Sequence, residues 1–369
     1  MAGISDRKPK CASSEKDFMK KGFKAGTIIL ISLMGAFLAA GCGSKEGKKT
    51  KEAIQSVESG DFDAALTLLD EAEAAGEEAV YLYRGKGLAY MGQNRYEEAA
   101  ENFKEALASD GSIPGSVDYD INYYIGVCYY KLGQYEDAKA RFDSIIGIKS
   151  KAVDAYVERG TVLLALNQPE DAKKDFDTAV ELTPKDYGLA IDIYCALREA
   201  GYEAEGDAYL QKAVDSGDKK MPDYDKGRLY FYLEDYSSSR DYLEKAKGNG
   251  NSSEELILLL GQCYENLNDR TYALTVYQSY LTASQSKAVY NQMGICYANS
   301  GDYENALATF QTGLGLSDAT FDQELKFNEI VTYEKLGDHI KAKELCTEYL
   351  QEYPQDEAAQ REYLFLKTR

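Results

Sequence analysis

Among 369 residues there is no tryptophan and a single histidine, and no nucleophile elbow, metalloprotease motif, calcium loop or zinc-type cysteine spacing. That histidine, His339, lies in GDHIKA between two helical stretches, where an isolated imidazole is a solvated residue. The octamer GSKEGKKT (43–50) falls short of a phosphate loop: its first glycine is misplaced, Lys49 stands where Ser or Thr is needed, and no strand precedes it. Without convergent groups no enzyme is expected, and neither a cofactor nor a metal is implied. Positive charge is short as well, with 42 Lys and Arg against 62 Asp and Glu. Such an acidic chain repels phosphates, which excludes nucleic acid as a partner and keeps the body off an anionic membrane surface.

What is present begins with one uncharged apolar run, Ala25 to Ala40 (AGTIILISLMGAFLAA), preceded by Lys20, Lys21 and Lys24. Sixteen residues in a helix span about 24 Å, short of the roughly 30 Å hydrocarbon core. A basic start, an apolar middle and small residues at the end make an export signal. Ala39, Ala40 and Gly41 followed by Cys42 resemble the lipobox of bacterial lipoproteins, with the usual leucine displaced by one place to Leu38. That resemblance implies diacylglyceryl transfer to Cys42 and cleavage between Gly41 and Cys42; an ordinary signal peptide and an uncleaved anchor are the alternatives. Residues 1–18 fit no export signal, whereas a start at Met19 gives a compact one (MKKGFKAG), so the lead is either a misplaced start or a long natural extension. Removing residues 1–41, which hold seven Lys and Arg and three Asp and Glu, takes the net charge from −20 to −24. The anchor is then what holds the body at the extracytoplasmic face of a cell membrane, and residues 42–51, with Lys45, Lys48, Lys49 and Lys51, read as a basic linker beside the head groups or simply as a solvated one.

From residue 52 to 355 the chain repeats itself. YLYRGKGLAYMGQNRYEEAAENFKEAL (81–107) returns at 122–146, 155–184 and 289–314, with weaker copies between and after. The small residue of the first half falls at Gly87, Gly126, Gly160, Gly227, Gly261 and Gly294, with Tyr194 and Ile330 in its place in two copies, at steps near 34. Apolar positions three and four apart make each half an amphipathic helix, with Gly133-Gln134, Gly301-Asp302 and Gly337-Asp338 as turns between halves. One such pair cannot bury both faces, so each must stack on the next. Glycine on the first helix admits the second, and the aromatic three residues later is expected to fill the space beside it. Tyr194 and Ile330 are expected to push their helices apart or change how they cross. A loop is expected around 110–120, where the step widens to 39.

Tyr83, Gly87, Tyr90, Ala99, Phe103 and Ala106, and their counterparts Tyr156, Gly160, Ala172, Phe176, Ala179 and Pro184, resemble the tetratricopeptide repeat. The resemblance implies an all-α fold, a right-handed solenoid of about nine helical hairpins. Residues 356–369, with Ala358, Tyr363 and Leu366, would form a C-terminal capping helix. It further implies that first helices line a concave groove for a peptide or partner helix. Arg84, Tyr123, Val127 and Tyr130, and Tyr224, Arg228 and Phe231, occupy that face; they either anchor a partner or pad the junctions between helices. Arg84, Tyr123, Val127, Val157 and Thr161 do not supply the lysines and asparagines of the family's chaperone-tail clamp. A protein or peptide partner with basic segments suits the acidic surroundings. The chain thus reads as an envelope scaffold, with a receptor for a soluble peptide or glycan as the alternative. Most tyrosines fall on packing positions, which counts against a sugar.

Cys128, Cys263 and Cys296 recur two residues after the marker glycine, as small core residues. Successive pairs lie roughly 10 Å apart, beyond the reach of a disulfide, so none is expected to pair. Exported free thiols then point to a reducing setting.

Overall fold

The computed structural model describes residues 46–109, 115–216, 218–317 and 321–369; Gly41 and Cys42 lie outside the described residues. Among those described there are 19 helices and no strand. They fall into two compact units, one within residues 10–213 and the other within 214–369. The first holds α1 (Lys48–Glu58), α2 (Phe62–Ala74), α3 (Ala79–Gly92), α4 (Tyr96–Ser109), α5 (Ser116–Lys131), α6 (Tyr135–Ile148), α7 (Val153–Ala165), α8 (Pro169–Leu182), α9 (Tyr187–Glu199) and, up to its last turn, α10 (Glu203–Asp215). The second holds α11 (Asp223–Tyr232), α12 (Tyr236–Gly248), α13 (Glu254–Asn266), α14 (Arg270–Ala283), α15 (Lys287–Asn299), α16 (Tyr303–Leu314), α17 (Asp322–Lys335), α18 (His339–Glu352) and α19 (Glu357–Leu366). This is nine helical pairs and one further helix. The supposed basic linker is shorter than the sequence implied, because Lys48, Lys49 and Lys51 already belong to α1.

Every pair keeps the same internal spacing. A buried residue on the first helix is followed sixteen residues on by a buried residue of the second: Ala53 and Leu69, Gly87 and Phe103, Gly126 and Phe142, Gly160 and Phe176, Tyr194 and Leu210, Gly227 and Leu243, Gly261 and Tyr277, Gly294 and Phe310, Ile330 and Cys346. The side chain that covers each marker glycine therefore comes from the second helix, a ring in every case but Gly227, which Leu243 covers, and not from the aromatic three places along the first. A Cβ at Gly87, Gly160 or Gly294 would meet the facing phenylalanine at 2.6, 2.5 or 2.3 Å, which forbids any larger residue while the ring stays in place.

Seven residues after each of these markers comes one left-handed residue: Gly60, Asn94, Gly133, Asn167, Gly201, Glu234, Asn268, Gly301 and Gly337. It closes the first helix, and the next residue opens the second. In five pairs that next residue is an aspartate, Asp61, Asp235, Asp269, Asp302 or Asp338, whose carboxylate accepts the N–H three residues on at 3.0–3.4 Å.

Within the first unit the first helices of neighbouring pairs also touch, α1 with α3, α5 with α7 and α7 with α9; in the second, α11 with α13, α13 with α15 and α15 with α17. The last helix, α19, packs on α18 through Ala359 and Leu366, while Ala358 is exposed. Asp356 fixes its start, accepting the N–H of Ala358 and Ala359 and the hydroxyl of Tyr349 at 2.7 Å. Cys128, Cys263, Cys296 and Cys346 are buried free thiols, and Cys195 is half-buried. No helix among the described residues is long and apolar enough to cross a membrane.

Candidate functional site

In the first unit the candidate groove is built from α3, α5 and α7. The fixed offset that turns the marker residue onto the second helix leaves the positions three before it, and one and four after it, on the neighbouring face of the first helix. On α5 these are Tyr123, Val127 and Tyr130, all half-buried. Tyr123 donates its hydroxyl to Glu158 Oε1 of α7 at 2.9 Å, and its ring meets Tyr124 and Phe142 edge-on at centroid distances of 5.9 and 5.8 Å. Burial, then the Glu158 charge, push the phenol well above its ordinary range. Tyr130 lies 5.6 Å from Tyr135 and is pushed up to about 12, chiefly by burial. On α3, Arg84 donates from both Nε, at 2.7 Å, and Nη2 to Asp120 Oδ2 of α5.

The structure therefore joins Arg84 and Tyr123 to carboxylates 36 and 35 residues further along, on the next first helix. Each acts as a rung between neighbouring pairs. Arg159 is a second kind of rung, donating to Asp143 of α6 and to both oxygens of Asp175 of α8 at 2.6–2.7 Å.

Glu158 did not stand out in the sequence. Burial raises its carboxyl to about 7, against the lowering effect of the Tyr123 hydroxyl; Asp154 and Asp192 add repulsion, and Lys131 relieves it. A cation reaching this face gains from a carboxylate that is otherwise costly to ionise. The signal was readable, since Glu158 and Asp192 both stand two residues before a marker, at Gly160 and Tyr194.

In the second unit, Tyr224 and Arg228 are brought together, with the guanidinium carbon 5.6 Å from the ring centroid and Nε 3.1 Å from Glu255 Oε1 of α13. Phe231 is a correction. It is only 3% exposed, and its ring is enclosed edge-on by Tyr232 and Tyr236 at 5.6 and 5.8 Å, so it is a packing residue that no partner can reach.

Other first-helix positions carry polar rungs as well. Asn328 donates to Asn291 at 2.8 Å, Lys287 is buried against Asp322, and Gln292 donates at 3.0 Å to Glu265, which also accepts from Tyr277 of the second helix α14 at 2.7 Å. Among the described residues no group of three or more His, Cys, Asp or Glu could hold a metal ion.

Family profiles described as "Tetratricopeptide repeat" match residues 50–112 and 85–153, 153–186 and 288–320, and 255–283. Among curated proteins, the chain is 32% identical over 119 residues to "DnaJ protein P58IPK homolog B" of Oryza sativa subsp. japonica, covering 32% of this chain and 23% of that one. It is 21% identical over 252 residues to "Hsp70-Hsp90 organizing protein" of Triticum aestivum, covering 65% and 41%. The chain thus spans about a quarter of the length of the first curated relatives it matches. Among solved structures, a tetratricopeptide repeat protein from Parabacteroides merdae is similar at 14% identity and a TM-score of 0.44, covering 69% of this chain and 98% of that one.

Proposed function

As the chain belongs to the tetratricopeptide repeat family, a fold that serves protein–protein interaction, we propose that it is a lipid-anchored scaffold on the extracytoplasmic face of a cell membrane. In this reading Cys42 carries the lipid, and the first-helix face of α5 and α7 takes a protein or peptide partner with a basic segment. The observation that carries the partner chemistry is Glu158, a half-buried carboxylate between Asp154 and Asp192 beside the aromatic face of Tyr123 and Tyr130. Aromatic anchors beside charge are what interfaces use for most of their energy. A cationic partner would be drawn in faster at low salt.

Two measurements test the two halves. Cys42→Ala should leave an unprocessed precursor without fatty-acid label; normal labelling of that variant overturns the anchor. For the face, Val127→Ala with Tyr130→Ala should abolish capture of a lysine-rich peptide while helicity and Tm stay within a few degrees. Retained capture with a lowered Tm would assign these side chains to packing alone.

A further inference from the structure

Resting on the reading of Cys42 as the acyl acceptor, we infer that the first helical pair, α1 and α2, is docked on the bilayer surface by a tether of only four residues. The support is how the fold begins. Glu77, in the turn between α2 and α3, reaches back across the start of α1 and accepts the backbone N–H of Lys49 and of Thr50, each at 3.0 Å, and the Thr50 hydroxyl at 2.8 Å. These N–H groups belong to the first turn of a helix, which has no internal partner for them, and the negative charge also suits the positive end of the helix dipole.

Gly47 makes the clamp possible. A Cβ there would lie 2.0 Å from the Glu77 carboxyl carbon, so only glycine leaves the carboxylate its place. Thr50 is fully buried, Lys49 is paired with Glu71, and Glu46 is half-buried near Arg84.

The described fold therefore starts at residue 46 and not several turns later. Four residues from Cys42 to Glu46 reach at most about 14 Å when fully extended. The polar layer of a bilayer leaf takes up roughly 6 Å of this. What is left is less than the diameter of one helix, about 10 Å. A body on so short a leash cannot swing clear of the membrane.

The charges at this end do not themselves drive contact. Lys48 is 88% exposed but lies 3.6 Å from Glu52, and Lys51 is exposed, whereas Glu71 is paired with Lys49, Glu73 with Lys86, and Glu77 with the start of α1. Residues 48–74 hold three lysines against seven exposed acids, so it is the shortness of the tether, and not charge, that keeps this end at the surface.

The test uses the acylated full chain reconstituted in vesicles of phosphatidylethanolamine and phosphatidylglycerol with a trace of lipid carrying a head-group nitroxide. A fluorophore is placed at Lys48→Cys in a Cys195→Ser background, since the other thiols of the body are buried. Strong quenching is expected. A Gly/Ser insertion of about 20 residues after Ser44, which adds an r.m.s. reach of about 25 Å, should cut that quenching at least two-fold. Glu77→Ala, which releases the first turn of α1, should cut it part of the way. Equal quenching with and without the insertion, or none in the anchored chain, overturns the docking while the acylation reading stands. A chain that takes up no fatty-acid label overturns both.

Discussion

Two neighbouring pairs in the first unit solve one packing problem in opposite ways. In the pair α7 and α8 the first helix supplies the space, with Gly160, and the second fills it, with Phe176. In the pair α9 and α10 the bulk is on the first helix, as Tyr194, and the second gives way at Gly206, where the other pairs carry a buried Ala or Ser. A Cβ at Gly206 would meet Tyr194 Cδ2 at 3.0 Å. The last pair, α17 and α18, finds a third solution, with Ile330 facing a small residue, Cys346, where most pairs have an aromatic. Across these seams bulk on one helix is met by a small residue on the other, and the place of the bulk is not fixed. At Tyr194 the bulk does not set the helices further apart, since a Cβ at Gly206 would lie 3.1–3.3 Å from the Tyr194 backbone.

The comparison can be broken most severely by emptying the seam. Phe176→Ala should cost about 3–5 kcal/mol, because it leaves a cavity over Gly160. The lost hydrogen-exchange protection should concentrate in α7 and α8, since repeat stability is a sum of local terms; an even loss across 46–213 would contradict that. Overfilling comes next. Gly160→Ala, with its Cβ 2.5 Å from Phe176 Cε1, should cost about 1–3 kcal/mol, and Gly206→Ala less, because its nearest contact is half an ångström longer. Denaturant midpoints for the two variants would rank them, and the reverse order would undo the account of Tyr194.

A double variant sharpens the comparison further. Ile330→Gly with Cys346→Phe rebuilds the common seam in the last pair, so it should be less destabilised than the two single changes added together, by about 0.5–3 kcal/mol. Strict additivity would mean that the two positions do not share a space. The smallest expected effect depends on pH. The raised carboxyl of Glu158 means that the folded state holds a proton the unfolded chain has lost, so this group's contribution is present at low pH and disappears as pH rises from about 4.5 through 7. At a half-buried site solvent should screen it to under about 1 kcal/mol. Glu158→Gln should flatten that limb of the Tm–pH curve, and an unchanged slope would argue against it.

Nine pairs and a last helix were legible in the sequence because each pair must place its buried residues at the same internal offsets, and those offsets leave a period. Phe103 and its counterparts were visible in each copy. Their partner glycines sixteen residues earlier were visible too, but nearest-neighbour spacing pointed to Tyr90 and its counterparts instead. Gly206 escaped notice because it breaks no helical pattern; its meaning depends on Tyr194 lying opposite, which only the crossing of two helices reveals. The candidate face was half legible. Its positions follow from helical periodicity, yet the partners of Arg84 and Tyr123 are some 35 residues away, and their pairing is set by how one hairpin leans on the next. Phe231 shows the limit of such reasoning, since the same register that leaves Tyr130 half-buried leaves Phe231 enclosed. The start of α1 was misjudged because Glu77, which caps it, lies some 28 residues on, in the turn after α2.

The buried thiols have a consequence for where the chain can work. Burial raises Cys128, Cys263 and Cys296 to about 12 and Cys346 to about 11. Only the thiolate attacks a disulfide or peroxide, and at neutral pH a thiol at 12 is ionised in roughly one molecule in 10⁵. Oxidants in the medium also cannot reach a sulfur enclosed between helices. These four cysteines are therefore kinetically silent whatever the redox poise outside: an oxidising compartment and an anaerobic one would leave these four thiols in the same chemical state.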